Sequence, residues 1–223
     1  MSSAARTALV PDPTILPLTQ AELEAEAGVS RETGERLAAY LELLRRWQAR
    51  INLVSGASLE DAWRRHFLDS AQLCPMIRRT DGRLYDIGSG AGFPGLVLAI
   101  MGFSDVHLIE SDQRKSVFLR EAARITGARI EVHTVRAEKL SPKDADFVTA
   151  RGCAALPELL DLATPLLKPS GTCFFLKGRG VEAELTAANK AWTMQIQRFP
   201  SKSDATGAIL RLEGIHRVGS IST

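Results

Sequence analysis

Asp86-Ile-Gly-Ser-Gly-Ala-Gly-Phe-Pro-Gly95 follows the apolar run Leu84–Ile87 and leads into the apolar run Leu96–Met101. The order is strand, glycine-rich turn, helix start. Gly88, Gly90 and Gly92 stand at alternate positions, where a missing Cβ lets the backbone turn sharply, approach a ligand closely and aim free N–H groups at it. Such a loop suits a nucleotide-like ligand.

Gly90-Ala-Gly-Phe-Pro-Gly95 also spells the dinucleotide fingerprint G-x-G-x-x-G. Three features favour S-adenosylmethionine over NAD: Asp86 ahead of the first glycine, the D-x-G-x-G-x-G register, and Pro94 at the helix entrance. An acid aimed at the loop suits an ammonium or amide group better than a pyrophosphate, which wants only the positive potential of a helix N-terminus. Glu110 ends the next strand candidate, Val106–Ile109, and is placed there to take two ribose hydroxyls. NAD and S-adenosylmethionine sites share that acid. A dehydrogenase and a purely structural glycine turn therefore stay open beside a methyltransferase.

From residue 83 onward short apolar runs alternate with helical patterns. The strand candidates are Leu84–Ile87, Val106–Ile109, Ile130–Val135, Phe147–Ala150, Thr172–Leu176, Gln195–Phe199 and Ala208–Leu212. Helical patterns cover Leu96–Met101, Arg114–Thr126, Leu156–Leu167 and Val181–Trp192. Alternation of this kind predicts an α/β fold: parallel strands, right-handed crossovers and a Rossmann-like three-layer α/β/α sandwich. Its ligand crevice lies at the strand C-termini, so Asp86, Gly88, Glu110, Ala137, Glu138 and Arg151 converge there. Ala137 leaves room for a planar adenine and Glu138 can accept from its amino group, or the pair is only a turn after a strand. Arg151 could hold a phosphate or a methionine carboxylate, or pair with Asp86. Lys177-Gly-Arg-Gly180 reads as a flexible basic loop, with Lys177 and Arg179 placed for substrate or merely for solvent.

Ahead of this domain the texture is helical. Residues 1–18 carry Pro11, Pro13 and Pro17 without helical period and are expected as a flexible or extended lead-in; residues 19–82 form a helical extension and 83–223 the ligand-binding domain. Thr19-Gln-Ala-Glu22 is a capping box before a break at Gly28. Between Thr33 and Ile51 the residues Leu37, Tyr40, Leu41, Leu44, Trp47 and Ile51 form one stripe, with Arg46 and Arg50 opposite. Leu59–Leu73 continues in the same style. In it, Arg64, Arg65 and His66 next to Phe67 could hold RNA through phosphate contact and stacking, or His66 and Asp69 could tie the helix to the neighbouring domain. Arginines also come in pairs at Arg45-Arg46 and Arg78-Arg79.

Bulk properties narrow the classes. A chain of 223 residues buries a sizeable core, and a net charge of +2 does not by itself announce nucleic acid. Cys74, Cys153 and Cys173 are scattered and read as reduced core residues, while His66, His107, His133 and His216 lie too far apart in sequence for metal-ligand spacing. No apolar run approaches the roughly 18–20 residues of a membrane span, and no apolar signal core opens the chain. A soluble, cytoplasmic monomer without metal is the expectation.

Taken together, Asn52-Leu53, Arg65-His-Phe-Leu-Asp-Ser70, the Asp86–Gly95 loop, Arg136-Ala-Glu138, Thr149-Ala-Arg151 and Lys177-Gly178 resemble the bacterial small-subunit ribosomal RNA methyltransferase G family, also called glucose-inhibited division protein B. The resemblance runs from about Leu37 to Leu212. It implies a class I S-adenosylmethionine-dependent methyltransferase fold, with N7 of a guanine in the decoding region of 16S ribosomal RNA, free or in the small subunit, as acceptor. It implies cofactor contacts at Gly88, Phe93, Ala137, Glu138 and Arg151. Gly152-Cys153-Ala154 departs from the family pattern, which more often has alanine and a bulkier residue after the arginine. Guanine N7 has an in-plane lone pair and no proton, so direct displacement needs no general base, and no catalytic triad is expected.

Overall fold

The computed structural model describes residues 16–77 and 79–219; the lead-in through residue 15, Arg78 of the expected arginine pair, and residues 220–223 lie outside the described residues. One mixed sheet forms the centre. Its strands are β1 (Leu84–Ile87), β2 (Val106–Ile109), β3 (Ile130–His133), β4 (Ala145–Arg151), β5 (Leu167–Lys177), β6 (Trp192–Pro200) and β7 (Ala208–Arg217), in the order β3-β2-β1-β4-β5-β7-β6. The first five are parallel, and chain order reverses beside β1, which opens a crevice at the strand C-termini.

The all-parallel expectation fails at the last strand. β7 runs antiparallel to both β5 and β6. A parallel crossover needs a dozen or more residues, whereas Ser201–Gly207 is a tight loop closed by Ser201 N–H to the Gly207 carbonyl (3.1 Å) and Gly207 N–H to the Asp204 carbonyl (2.9 Å). The pattern read as a helix through Trp192 also stops early, because Trp192 already begins β6.

Before the sheet come α1 (Gln20–Ala27), α2 (Arg31–Gln48), α3 (Gly56–Glu60) and the short α4 (Asp69–Ala71); α5 (Gly95–Ile100), α6 (Gln113–Thr126), α7 (Leu156–Ala163) and α8 (Val181–Ala188) follow β1, β2, β4 and β5. The capping box at Thr19 and Glu22 starts α1, and Gly28 ends it in the left-handed region at φ 63°. α2 buries Leu37, Tyr40, Leu41 and Leu44, at about 1.5–3 kcal/mol for each large apolar side chain removed from water. It lies on α6: Trp47 Nε1 donates to Glu121 (3.1 Å) and Arg36 donates to the Thr126 carbonyl (2.6 Å). The helical extension therefore shares one core with Leu96, Phe118 and Leu119 of the later chain.

Leu59–Leu73 is not one amphipathic helix. Trp63–Leu68 winds as a π-helical turn between α3 and α4, which brings His66, Phe67 and Leu68 inward together.

Candidate active site

The glycine loop sits where the crevice opens, and its residues explain its shape. Gly88, Gly90 and Gly92 have φ of +64°, +56° and +93°, a region that L side chains rarely occupy. A Cβ on Gly92 would lie 2.7 Å from the Tyr40 hydroxyl, which donates to the Ala91 carbonyl. The loop is thus pinned from α2. From the other side Glu110 pins it, accepting from Gly90 N–H at Oε2 (2.8 Å) and from Asp112 N–H at Oε1 (2.7 Å). Each oxygen keeps a second lone pair for a ligand hydroxyl.

Asp86 lies beneath this loop with no exposed surface. Its Oδ1 accepts from Thr149 Oγ1 (2.7 Å), and Oδ2 accepts no hydrogen bond of good geometry from the described residues. Burial pushes the carboxyl up to about 6, although the Thr149 and Ser89 hydroxyls, the nearby Gly95 amide and the Arg151 charge favour the anion. Gly95 is packed directly on it, since a Cβ there would stand 2.7 Å from Asp86 Cβ.

Two cavities open beside the loop. The first, about 190 Å³, is walled by Gly88, Glu110, Ala137 and Glu138 of the expected residues, and by Cys153 and Glu158, which sequence reasoning did not assign to it. Asp86, Gly90, Phe93 and Arg151, also expected at the cofactor, are not in its wall. Phe93 is buried, stacked with Tyr40 (5.3 Å between ring centroids) and with His66 (4.9 Å) and edge-on to Phe67. Cys153 is exposed, contrary to the reading of all three cysteines as core.

The second cavity, about 220 Å³, adjoins along Arg151–Ala154 and takes in Arg65, His66, Asp69, Arg151, Lys177 and Ser203. Arg151 does not pair with Asp86. Its guanidinium donates to Asp69 Oδ2 (3.3 Å) and the Arg65 carbonyl (2.9 Å) and lies 4.8 Å from the Phe93 ring centroid. Asp69 is held in turn by Gln72, Ser201 and Ser203, so it joins the N-terminal helices to the β6–β7 loop. His66 is buried, bonded to Ser58 through Nε2 (3.0 Å), and its Nδ1 has no partner among the described residues. Burial, then the Arg151 and Arg65 charges, push it down to about 2, so it is neutral at physiological pH.

The basic residues expected at substrate separate. Arg65 reaches the second cavity, pairing with Asp204 (3.0 Å). Arg64 turns away to Asp61 (2.9 Å) and the Leu16 carbonyl (2.9 Å) and lines neither cavity. Lys177 is not loop but the end of β5; its buried ammonium meets Glu184 (2.6 Å) and the Ala154 carbonyl (2.9 Å). Arg179 is exposed outside both cavities. Finally, His107 and His133 are not isolated, because β2 and β3 run side by side and place their ring nitrogens 2.9 Å apart.

Solved structures resemble this fold. TYW2 of Pyrococcus horikoshii in complex with MeSAdo has a TM-score of 0.52 at 16% identity, covering 76% of this chain and 65% of that one. Ribosomal protein L11 methylase of Lactobacillus delbrueckii subsp. bulgaricus has 0.52 at 16%, covering 67% and 76%. The fold is that of the class I S-adenosylmethionine-dependent methyltransferases. Curated relatives named "Ribosomal RNA small subunit methyltransferase G" are far nearer in sequence. That of Rhodospirillum rubrum is 54% identical over 90% of this chain and 100% of its own length, and that of Rhodospirillum centenum 55% over 87% and 90%. The family model described as rRNA small subunit methyltransferase G, GidB, matches residues 33–207, which take in the first cavity whole and the second except for Ala208, and the chain belongs to that family.

Proposed function

We propose that this protein transfers a methyl group from S-adenosylmethionine to N7 of a guanine in the decoding region of 16S ribosomal RNA, acting in the cytoplasm as a monomer. Family membership supports the class of reaction and the small-subunit rRNA substrate. The observation that carries the site assignment is the pair of adjoining cavities, one walled by glycine, acid and alanine, the other by arginine, divided by Arg151–Ala154.

S-adenosylmethionine, when bound, supplies an electrophilic methyl on a sulfonium. Gly88, Glu110, Ala137 and Glu138 would hold its nucleoside end in the first cavity, with Glu110 accepting from ribose hydroxyls. Asp86, Gly90 and Phe93 act from behind by fixing the loop. Arg151, in the wall of the second cavity, would reach the acceptor base or the methionine end of the cofactor. The second cavity would receive the guanine, whose N7 brings its own lone pair and has no proton to lose, so its lining residues would only have to bind and orient the base while the neutral thioether leaves. Alignment and exclusion of water supply the rate enhancement.

The charge pattern suits a cationic product. N7-methylguanine is positive, so a bare cation against N7 would oppose the reaction. Arg65 is balanced by Asp204, Arg151 by Asp69 and Phe93, Lys177 by Glu184, and His66 is neutral. Arg65 and Arg151 then serve phosphate or guanine O6, and exposed Arg179 serves phosphate. Arg64 and Lys177 act through structure.

Labelled methyl transfer to whole ribosomes, separated subunits and naked RNA, followed by mapping of the modified base, tests the proposal. Label on guanine N7 of 16S RNA is expected. Label on another atom, on a small molecule, or on nothing despite cofactor and RNA binding would replace it with a different methyltransferase or a non-catalytic binder.

A further inference from the structure

We propose that His107, Glu131 and His133 form a binding site for one borderline divalent transition-metal ion, Zn²⁺ being the probe, on the face of β2 and β3 turned away from the N-terminal helices. Strand register creates it. His107 pairs with Glu131 across β2 and β3, and His133 lies two residues further along the same face. The three donor groups lie close together: His107 Nδ1 is 2.9 Å from His133 Nε2 and 3.5 Å from Glu131 Oε2, and His133 Nε2 is 3.7 Å from Glu131 Oε1. Ligand atoms about 2.1 Å from a tetrahedral ion stand about 3.4 Å from each other. The cluster brackets that spacing, and the two rings have to part by about 0.5 Å.

The surroundings match those of a metal-binding histidine. His107 Nε2 lies 2.9 Å from Asp105 Oδ1. The carboxylate can only accept, so the His107 proton sits on Nε2 and Nδ1 keeps its lone pair toward the cluster. Asp105 is itself fixed by Arg83 (2.8 Å), and Tyr85 stacks on the His107 ring at 4.6 Å. In the ion-free state His133 Nε2–H must donate to His107 Nδ1. An ion displaces that bond as His133 moves its proton to Nδ1, with no net proton released. Glu131 is exposed, which gives the ion an entry path and leaves a fourth position for water. Nitrogen, nitrogen and carboxylate donors select Zn²⁺, Co²⁺ or Ni²⁺ over Mg²⁺ and Ca²⁺.

The site is independent of the methylation reading, and so is its test. Full-length protein stripped with chelator and dialysed is titrated with Zn²⁺ against a chromophoric competitor, and with Co²⁺ by visible absorption. One equivalent is expected to bind, with a tetrahedral-type Co²⁺ spectrum and a rise in Tm of about 5 °C at saturation. Glu131→Gln, at an exposed position, and His133→Ala are each expected to weaken binding at least about 10-fold, and Asp105→Asn about 10–100-fold. No binding at one equivalent, or wild-type affinity in both His133→Ala and Glu131→Gln, would reduce the cluster to a hydrogen-bonded histidine pair.

Discussion

Replacing Asp86 by asparagine isolates the energetic cost of a buried charge under the glycine loop. Asp86 is fully buried, and burial raises its carboxyl from 3.8 to about 6. Because the folded value lies above the unfolded one, the native protein binds the extra proton between roughly pH 4 and pH 6. Wild-type stability contributed by this group is therefore highest below pH 4 and falls as pH rises through about 6. The shift corresponds to about 3 kcal/mol at pH 8, and about half of that is already lost at pH 5. The asparagine of Asp86→Asn would not titrate. It can still accept from Thr149, and whatever its amide gains or loses near Gly95 is the same at every pH. Urea unfolding of both proteins at pH 5 and pH 8 is the assay. The stability difference between variant and wild type should move in favour of the variant by about 1.4 kcal/mol across that interval. A difference that is constant with pH, or that moves the other way, would show Asp86 to be ionised without penalty and the burial argument to be wrong.

Three further outcomes are expected. Gly90→Val should abolish cofactor binding by calorimetry while the protein stays folded, because φ of +56° excludes a β-branched residue although the nearest atom to its Cβ would be 3.7 Å away; normal binding would move the cofactor off this loop. RNA affinity should fall with salt while cofactor affinity barely changes, and Arg65→Ala or Arg179→Ala should each make the log–log slope shallower by about 0.7, whereas Arg64→Ala, bonded to Asp61 and Leu16, should leave it unchanged. Arg151→Lys keeps charge but loses the fork that spans Asp69 and the Arg65 carbonyl, so activity should fall steeply and cofactor affinity should drop by about 1.5–3 kcal/mol; wild-type cofactor affinity with a lost RNA complex would assign Arg151 to substrate alone.

What the sequence disclosed and what it hid follow from the range of the interactions. The glycine loop was legible because its constraint is local: φ values above zero are read directly from glycines at alternate positions. The five parallel strands were legible from period and length. The reversal of β7 was recoverable from the short Ser201–Gly207 connection, and was lost when alternation alone was weighed. Contacts between distant segments left little local signal: Asp69 could be read as a tie to the neighbouring domain, as its bonds to Arg151, Ser201 and Ser203 bear out, but its partners could not. Nothing near Arg151 says that Asp69 holds it, and nothing near His107 says that the sheet sets His133 beside it.

Gly92 shows how the two ranges meet. Its left-handed φ is a local property, yet the space above it is filled by the Tyr40 hydroxyl, which binds the Ala91 carbonyl from a helix far away in the chain. Tyr40 belongs to the apolar stripe that packs α2 onto α6 and stacks on Phe93, the residue before the loop's proline. Phe93 in turn carries the Arg151 guanidinium on its ring, and Arg151 lines the second cavity. The N-terminal helices therefore do more than cover the sheet: through Tyr40, Phe93 and Asp69 they set the position of both the loop and the arginine. A change at Tyr40 should reach both cavities through contacts that no segment of the sequence carries by itself.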